Sequence, residues 1–362
     1  MKKISMVILA LLIILIQGCA VGRIEHEIRD VPTETSYHEL VSLLSESTVA
    51  LHGYDMEFYL GLGSGLIFEQ EDLGDGSYMY YVLTNFHVVD RMSHVKVHTA
   101  KNTVEMGDIY GIPTETPRDY DDVAVVRFIS QEVYPTVDIL PLSEDKNIYV
   151  QLTKGQYVFG LGTPVDEDNF NLLTNLGVIA DLSDRFITHT ANINPGNSGG
   201  PLFSYDGTFI GMNTQRVEVI NQETVYLVSE SIHVNHIAKV IKSLLKSIKP
   251  RLGIQTLPYE VFTTVNYQEA YGERAAGFDP FDKVPRNEVG IVVADTSSTR
   301  SSYGKLLQYD LIKKVNGSSI TTTEDLLREL GTIQYGNVYT FEVIRKNSDT
   351  GNFENIEVEI TI

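Results

Sequence analysis

Three things are scarce in this sequence, and each scarcity excludes something. Among 362 residues there is a single cysteine, Cys19. One thiol cannot close an internal disulfide, so no cystine framework holds the fold, and a four-cysteine zinc site is excluded by the same count. Cations are few: 28 Lys and Arg stand against 48 Asp and Glu, a formal net charge of −20. Nucleic-acid binding rests on neutralising phosphates, so this balance argues strongly against such a partner. The same charge keeps an exported protein soluble, which is the plainer reading. The apolar run at the start, Ile4 to Ile16, is too short to span a bilayer comfortably. What is present suffices for real cores: 43% apolar, 9% aromatic and 21% charged residues rule out wholesale disorder. The length suits two folded domains plus extras.

Lys2 and Lys3 precede the apolar run, which ends at Gln17-Gly18-Cys19. A basic start followed by a short apolar stretch fits an export signal. The segment Ile16-Gln17-Gly18-Cys19 resembles the lipobox of bacterial lipoproteins. That resemblance implies cleavage before Cys19, lipidation at Cys19 and anchoring in the cell envelope, facing the periplasm or exterior. Two or more acyl chains are enough for stable attachment, whereas one is not. An ordinary cleaved signal with an incidental cysteine is the alternative. On this reading residues 1–18 are a signal peptide and 19–36 a charged tether.

From about Tyr37 the chain shows short β-branched and aromatic runs separated by turn signals. Gly65-Leu66-Ile67-Phe68, the Asp75-Gly76 turn and Met79 to Thr84 form one such set. Leu202 to Tyr205, Asp206-Gly207 and Thr208 to Met212 form another. Closely spaced strands with hairpin turns predict an all-β barrel or sandwich. A helix follows, with Ile237, Val240, Ile241, Leu244, Leu245 and Ile248 on one stripe, and Pro250 stops it. This places a first domain over 37–249 and a second over 250–362. The second mixes strands (290–294, 339–345, 356–362) with a helix near Thr323 to Leu330. Thr321 and Glu324 have capping-box spacing at its start. No internal repeat is visible.

The sharpest chemical signal is Asn194-Pro195-Gly196-Asn197-Ser198-Gly199-Gly200-Pro201-Leu202. A serine hydroxyl is a poor nucleophile until a base takes its proton and fixed donors meet the developing oxyanion. Glycines around it allow a tight turn that aims backbone N–H groups at one spot. Upstream, His87 ends a strand in Leu83-Thr84-Asn85-Phe86-His87-Val88-Val89. Between them Tyr120-Asp121-Asp122 leads into the apolar run Val123 to Val126. The order His, Asp, Ser matches a known triad order. Asp119 and Asp121 compete with Asp122 for the carboxylate role. His233 and His236, three apart, could in principle bind metal, but no third ligand is evident and packing is the plainer reading. No metal or cofactor is expected.

Three segments, Thr84 to Val89, Asp122-Val123-Ala124-Val125 and Gly196 to Leu202, resemble the trypsin-like serine proteases of the HtrA/Deg group. So do Gly63-Ser64-Gly65, Gly160 to Pro164 and Gly211-Met212-Asn213-Thr214. The resemblance runs from about Ser64 to Ile248. It implies a mainly β chain: a trypsin-like double β-barrel, then a small α+β domain. It also implies His87 as base, Asp122 as orienting carboxylate, Ser198 as nucleophile, and the Gly196 and Ser198 amides as oxyanion hole. Ile193 stands where that group has its specificity-pocket wall, which favours small or medium aliphatic side chains. No aspartate sits at Asn192, so a Lys/Arg preference is not expected. Asn197 stands where digestive relatives carry an aspartate that pairs with a newly cleaved amine. An amide cannot make that ion pair, so activation by propeptide cleavage is not expected either. Family resemblance suggests a homotrimer, with Tyr54, Phe58 and Tyr59 as candidate contacts, though an ordinary hydrophobic strand explains them equally well.

Arg251-Leu252-Gly253-Ile254, Gly290 to Val293 and Tyr309 to Gly317 resemble a PDZ domain. The resemblance implies that Arg251, Leu252, Gly253 and Ile254 form a loop holding a chain-terminal carboxylate, with the peptide added as a strand. Two departures stand out: Tyr309 replaces a usual glycine before Asp310, and about 35 residues separate Ile254 from Gly290. A PDZ-shaped domain that packs without binding peptides remains open. The expected activity is endopeptidase cleavage of unfolded or misfolded envelope proteins. A non-catalytic chaperone or adaptor on the same scaffold, or a site-specific regulatory protease, is the alternative.

Overall fold

The computed structural model describes residues 34–113, 121–139, 142, 150–163, 170–220, 223–246, 252–331, 333 and 336–362; side chains 34–36, 215–227, 243, 245 and 246, Leu245 of the predicted stripe among them, are outside the description. Cys19, Asp119, Ile248, Pro250 and Arg251 lie outside the described residues.

The first element among the described residues is a helix, α1 (Glu34–Ser45), where strands were expected from Tyr37. Tyr37, Leu40, Val41 and Leu44 recur at helical spacing and pack into the core between the barrels. Tyr37 stacks on Tyr205 and meets Phe159 edge-on. Strand-like composition thus gave way to a period of three and four.

Six strands then close a barrel: β1 (Thr48–Asp55), β2 (Phe58–Asp72), β3 (Tyr78–Thr84), β4 (His94–His98), β5 (Val104–Gly111) and β6 (Ala124–Ser130). A one-turn helix, α2 (Phe86–Val89), interrupts them after β3. Six more close a second barrel: β7 (Tyr157–Gly162), β8 (Leu173–Leu182), β9 (Phe186–His189), β10 (Pro201–Ser204), β11 (Phe209–Ile220) and β12 (Glu223–His233). The strand orders are β1-β2-β3-β6-β5-β4 and β7-β8-β9-β12-β11-β10, the same topology twice. The duplication is one of topology, carried by two different sequences. Each barrel has its own interior, around Val49, Ile67, Val82 and Phe128 in the first and Val158, Ile187 and Leu202 in the second. A third cluster lies between them, joining Leu66, Leu83 and Val125 to Phe159, Phe203 and Met212. Helix α3 (Val234–Lys246) closes this seam with Ile237, Ile241 and Leu244.

The last hundred residues form a separate sheet: β13 (Ile254–Pro258), β14 (Ile291–Thr296), β15 (Leu311–Val315), β16 (Ser318–Ser319), β17 (Val338–Lys346) and β18 (Phe353–Thr361). The order is β13-β14-β15-β17-β18, with β16 paired to β15. Two short helices, α4 (Tyr259–Thr264) and α5 (Tyr267–Tyr271), fill the long gap before β14. Helix α6 (Thr323–Leu330) packs on the sheet through Leu326 and Leu330. Its capping box is Thr322 with Asp325, one residue later than the Thr321–Glu324 spacing suggested. The shorter aspartate reaches back to the Thr322 amide, so Glu324 is not needed there. The chain is therefore mainly β, two six-stranded barrels followed by a sheet consistent with a PDZ-like domain.

The segment between β13 and β14 rivets this sheet to the first barrel. Phe58 is 2% exposed, stacked on Tyr271 at 4.3 Å and edge-on to Phe278 at 5.0 Å. Tyr54 stacks on His94, and Arg274 lies over the Tyr59 ring. The three aromatics suggested as subunit contacts are thus engaged inside one chain. Polar bonds surround them: His94 Nδ1 with Asp295 Oδ2 at 2.6 Å, Tyr271 OH to Asp55 at 2.6 Å, and Gln255 Nε2 to the Ser93 carbonyl at 2.9 Å. Tyr309 takes φ +72°, the left-handed region where glycine is the easy choice. Its ring packs in the interdomain core and its hydroxyl donates to Glu57 at 3.1 Å, contacts a glycine would forfeit.

Candidate active site

The site assembles where the two barrels meet. His87 sits on α2 directly after β3, and half its side chain is exposed. Asp122 immediately precedes β6 and receives three donors. The His87 amide donates to Oδ1 at 2.9 Å, His87 Nδ1 to Oδ2 at 2.8 Å, and Thr214 Oγ1 to Oδ2 at 2.9 Å. Asn85 Nδ2 adds a bond to the Asp122 carbonyl at 3.0 Å. With Nδ1 facing a carboxylate, the imidazole carries its proton there and presents Nε2 as a base.

The competing carboxylate is occupied elsewhere. Asp121 Oδ1 pairs with His236 Nε2 of α3 at 3.2 Å. His236 is thereby linked to a carboxylate rather than to His233, whose Nδ1 accepts from the Asn235 amide. Among the described residues no group of three or more potential ligands is arranged to hold a metal.

Ser198 comes from the second barrel. Its Oγ donates to the Thr214 carbonyl at 3.1 Å, and no hydrogen bond joins it to His87. Thr214 therefore touches both partners, hydroxyl on Asp122 and carbonyl on Ser198. Among the described residues, neither the Gly196 nor the Ser198 amide donates to another protein group. Two unbonded amides two residues apart are what an oxyanion hole requires. The loop admits no substitute at Gly199: φ is +86° and an added Cβ would lie 2.1 Å from the Ser64 carbonyl oxygen. Asn197 is buried, its amide donating to the Asn194 carbonyl, and its side-chain oxygen has no partner.

A cavity of about 460 Å³ opens beside His87, lined by Phe86, Asp90, Asp122, Arg185, Phe186 and Thr214. Ile193 is buried, its amide donating to Ser229 Oγ at 3.2 Å, and the Asn192 Oδ1 is buried without a partner. Neither lines that cavity. In the last sheet, Leu252 is buried, Gly253 takes φ +81° and Ile254 begins β13. All three line a second cavity of about 320 Å³ with Leu326 and Leu330 of α6. Ser93, Asp108 and Ile109 of the first barrel also border it.

Sequence reasoning did not assign roles to Thr214, Ser64 or Asn213, although all three fall in quoted motifs. Their contributions are hydrogen bonds to residues far away in sequence, which spacing does not reveal. Asn213 exchanges backbone bonds with Gly199 and Gly200 next to Ser198, and its Oδ1 accepts from Ser231 Oγ. Ser231 Oγ in turn meets His189 Nε2 at 2.8 Å.

Burial pushes the His189 imidazole down to about 4, and burial does the same to His233. Both are neutral in the fold at neutral pH, whereas in the unfolded chain they take up protons near 6.5. Between about 6.5 and 4 the unfolded state therefore binds more protons, and stability falls as pH falls. The thermal midpoint is expected to drop across that window and the drop to shrink in His189→Gln. A midpoint independent of pH from 7 to 4 would contradict this account.

Residues 63–212 match the trypsin-like peptidase domain family. The chain is 28% identical over 305 residues to Protease Do-like 1, chloroplastic, of Arabidopsis thaliana, covering 80% of this chain and 62% of that protein. It is 30% identical over 295 residues to the putative serine protease HhoB of Synechocystis sp., 79% and 64% respectively. A probable periplasmic serine endoprotease DegP-like of Halomonas elongata is 26% identical over 313 residues, 83% and 56%. The chain thus spans between about half and two thirds of the length of these relatives. Residues 63–212 are thus similar to a trypsin-like peptidase domain, and the chain is similar to the HtrA- and DegP-type serine proteases, a likeness that accords with its paired barrels.

Proposed function

We propose that this chain is a serine endopeptidase working through an acyl-enzyme, with Ser198 as nucleophile, His87 as general base and Asp122 as its orienting carboxylate. The observation that carries this reading is the Asp122 carboxylate receiving both His87 Nδ1 and Thr214 Oγ1 while the Gly196 and Ser198 amides stay unbonded. In the reaction, Ser198 Oγ leaves the Thr214 carbonyl for His87 Nε2. His87 takes the hydroxyl proton as oxygen attacks the substrate carbonyl, then returns it to the departing amine. The two amides stabilise the oxyanion, each worth about 10²–10³ in rate.

The wider assignment rests on sequence resemblance. The substrates are unfolded envelope proteins, the cavity at Leu252, Gly253 and Ile254 receives a C-terminal peptide, and a lipid on Cys19 holds the chain at a membrane. The domain limits follow the same reading, 37–249 for the protease and 250–362 for the PDZ-like unit. A disordered substrate such as β-casein is expected to be cut by wild type and left intact by Ser198→Ala. Equal cleavage of β-casein and a disulfide-locked globular protein would overturn the preference for unfolded chains.

One observation favours a second reading, a latent or non-catalytic chaperone: Ser198 Oγ rests on Thr214 rather than on His87. Under that reading Ser198→Ala would retain full cellular function.

A further inference from the structure

We propose that Ser64 is a positioning residue that sets the nucleophile and oxyanion loop from across the barrel interface. This deepens the endopeptidase reading and rests on it. Ser64 lies on β2 of the first barrel, yet almost all its polar atoms bond to residues outside that strand's ladder. Its amide donates to the Ser198 carbonyl at 2.8 Å. Its hydroxyl donates to the Gly196 carbonyl at 2.7 Å and accepts from the Thr163 amide, beyond the end of β7, at 2.9 Å. Thr163 Oγ1 stands 3.1 Å from the same hydroxyl. The Ser64 carbonyl accepts from Thr84 Oγ1 at 2.8 Å, three residues before His87. The residue is fully buried.

The consequence is geometric. Along the backbone the Gly196 carbonyl lies between the two amides that hold the oxyanion and the Ser198 carbonyl follows the second, and both carbonyls are tied to Ser64. The Gly196–Asn197 peptide carries neither oxyanion amide but joins the residues that do, and it cannot turn over without breaking the 2.7 Å bond and leaving a buried carbonyl unpaired. Nothing else among the described residues bonds the Gly196 carbonyl. Asn197 offers no substitute, since its side chain makes no hydrogen bond. An alanine at position 64 keeps the backbone bond to Ser198 but releases Gly196. Loop misplacement of about 1 Å can cost about 10²-fold in rate, and outright loss of one oxyanion donor costs about 10²–10³.

Ser64→Ala is expected to lower the rate of Ser198 acylation by a fluorophosphonate probe by roughly 10- to 100-fold, below the full loss of one donor. Affinity for a peptide boronic acid, which forms a tetrahedral adduct at Ser198, should fall in parallel. Binding of the corresponding unmodified peptide, measured in the Ser198→Ala background, should be unchanged when Ser64→Ala is added. A merely structural role would lower the thermal midpoint without separating these two affinities. Ser64→Cys keeps the packing with a weak donor and gives the same test if the alanine variant does not fold. Folded Ser64 variants that acylate at the wild-type rate would overturn the proposal, as would equal losses for boronic acid and peptide. Failure of wild type itself to label would instead count against the endopeptidase reading.

Discussion

Replacing Asp122 by asparagine is expected to slow acylation of Ser198 by about 10⁴-fold while leaving the fold intact. The reason lies in the three donors that converge on the carboxylate. His87 N–H points at Oδ1, and both His87 Nδ1 and Thr214 Oγ1 point at Oδ2. A carboxylate accepts all three, whereas an asparagine amide must turn its NH₂ toward one side. The backbone N–H cannot become an acceptor, so the NH₂ goes to the Oδ2 side. There it forces His87 to offer a lone pair at Nδ1 and to carry its proton on Nε2, where it can no longer take one from Ser198. Asp121→Asn is the control. Its carboxylate pairs with His236, so that variant should label within a few-fold of wild type, on the order expected of a change outside the reacting groups. Similar large losses in both variants would reopen the choice of Asp122, which its place before Val123 to Val126 favours over Asp119 and Asp121 in the sequence.

Phe58→Ala is expected to loosen the C-terminal sheet from the first barrel at a cost of about 3–5 kcal/mol, the usual range for removing a buried phenylalanine. Phe58 fills a slot between Tyr271, Tyr267 and Phe278, so truncation leaves a cavity at the centre of the interdomain core. The surrounding polar bonds, among them His94–Asp295 and Tyr271–Asp55, then become reachable by water. Limited proteolysis should release the C-terminal unit from the variant faster than from wild type, and thermal unfolding should split into two transitions. One unchanged, cooperative transition would show that Phe58 does not join the two parts.

Much of the candidate site was legible because it resides in short segments. The strand leading to His87, the aspartate before an apolar strand and the glycine-flanked serine each state a local conformation, and their order limits how they can meet. The structure ends that strand at Thr84 and follows it with a one-turn helix carrying the histidine. What escaped was whatever depends on distant partners. Nothing in Gly63-Ser64-Gly65 says that its serine bonds to residues 132 and 99 positions away. Helix α1 was misread because five apolar residues in eight, Tyr37 to Leu44, can be counted as a strand until their spacing is respected. The long gap between Ile254 and Gly290 was visible as a departure from the PDZ pattern. Its meaning required seeing Phe58 buried beneath Tyr271. Tyr309 likewise looked like a lost glycine; its ring packs against Phe262 and Phe278 and its hydroxyl reaches Glu57 of the first barrel, contacts that a glycine cannot make.

The most direct test of the account is fluorophosphonate labelling of the purified protein, with the modified residue located by peptide mapping. The account predicts one label, on Ser198, lost in Ser198→Ala and strongly slowed in Asp122→Asn. Absence of label from folded wild-type protein, or a label that persists in Ser198→Ala, would contradict it.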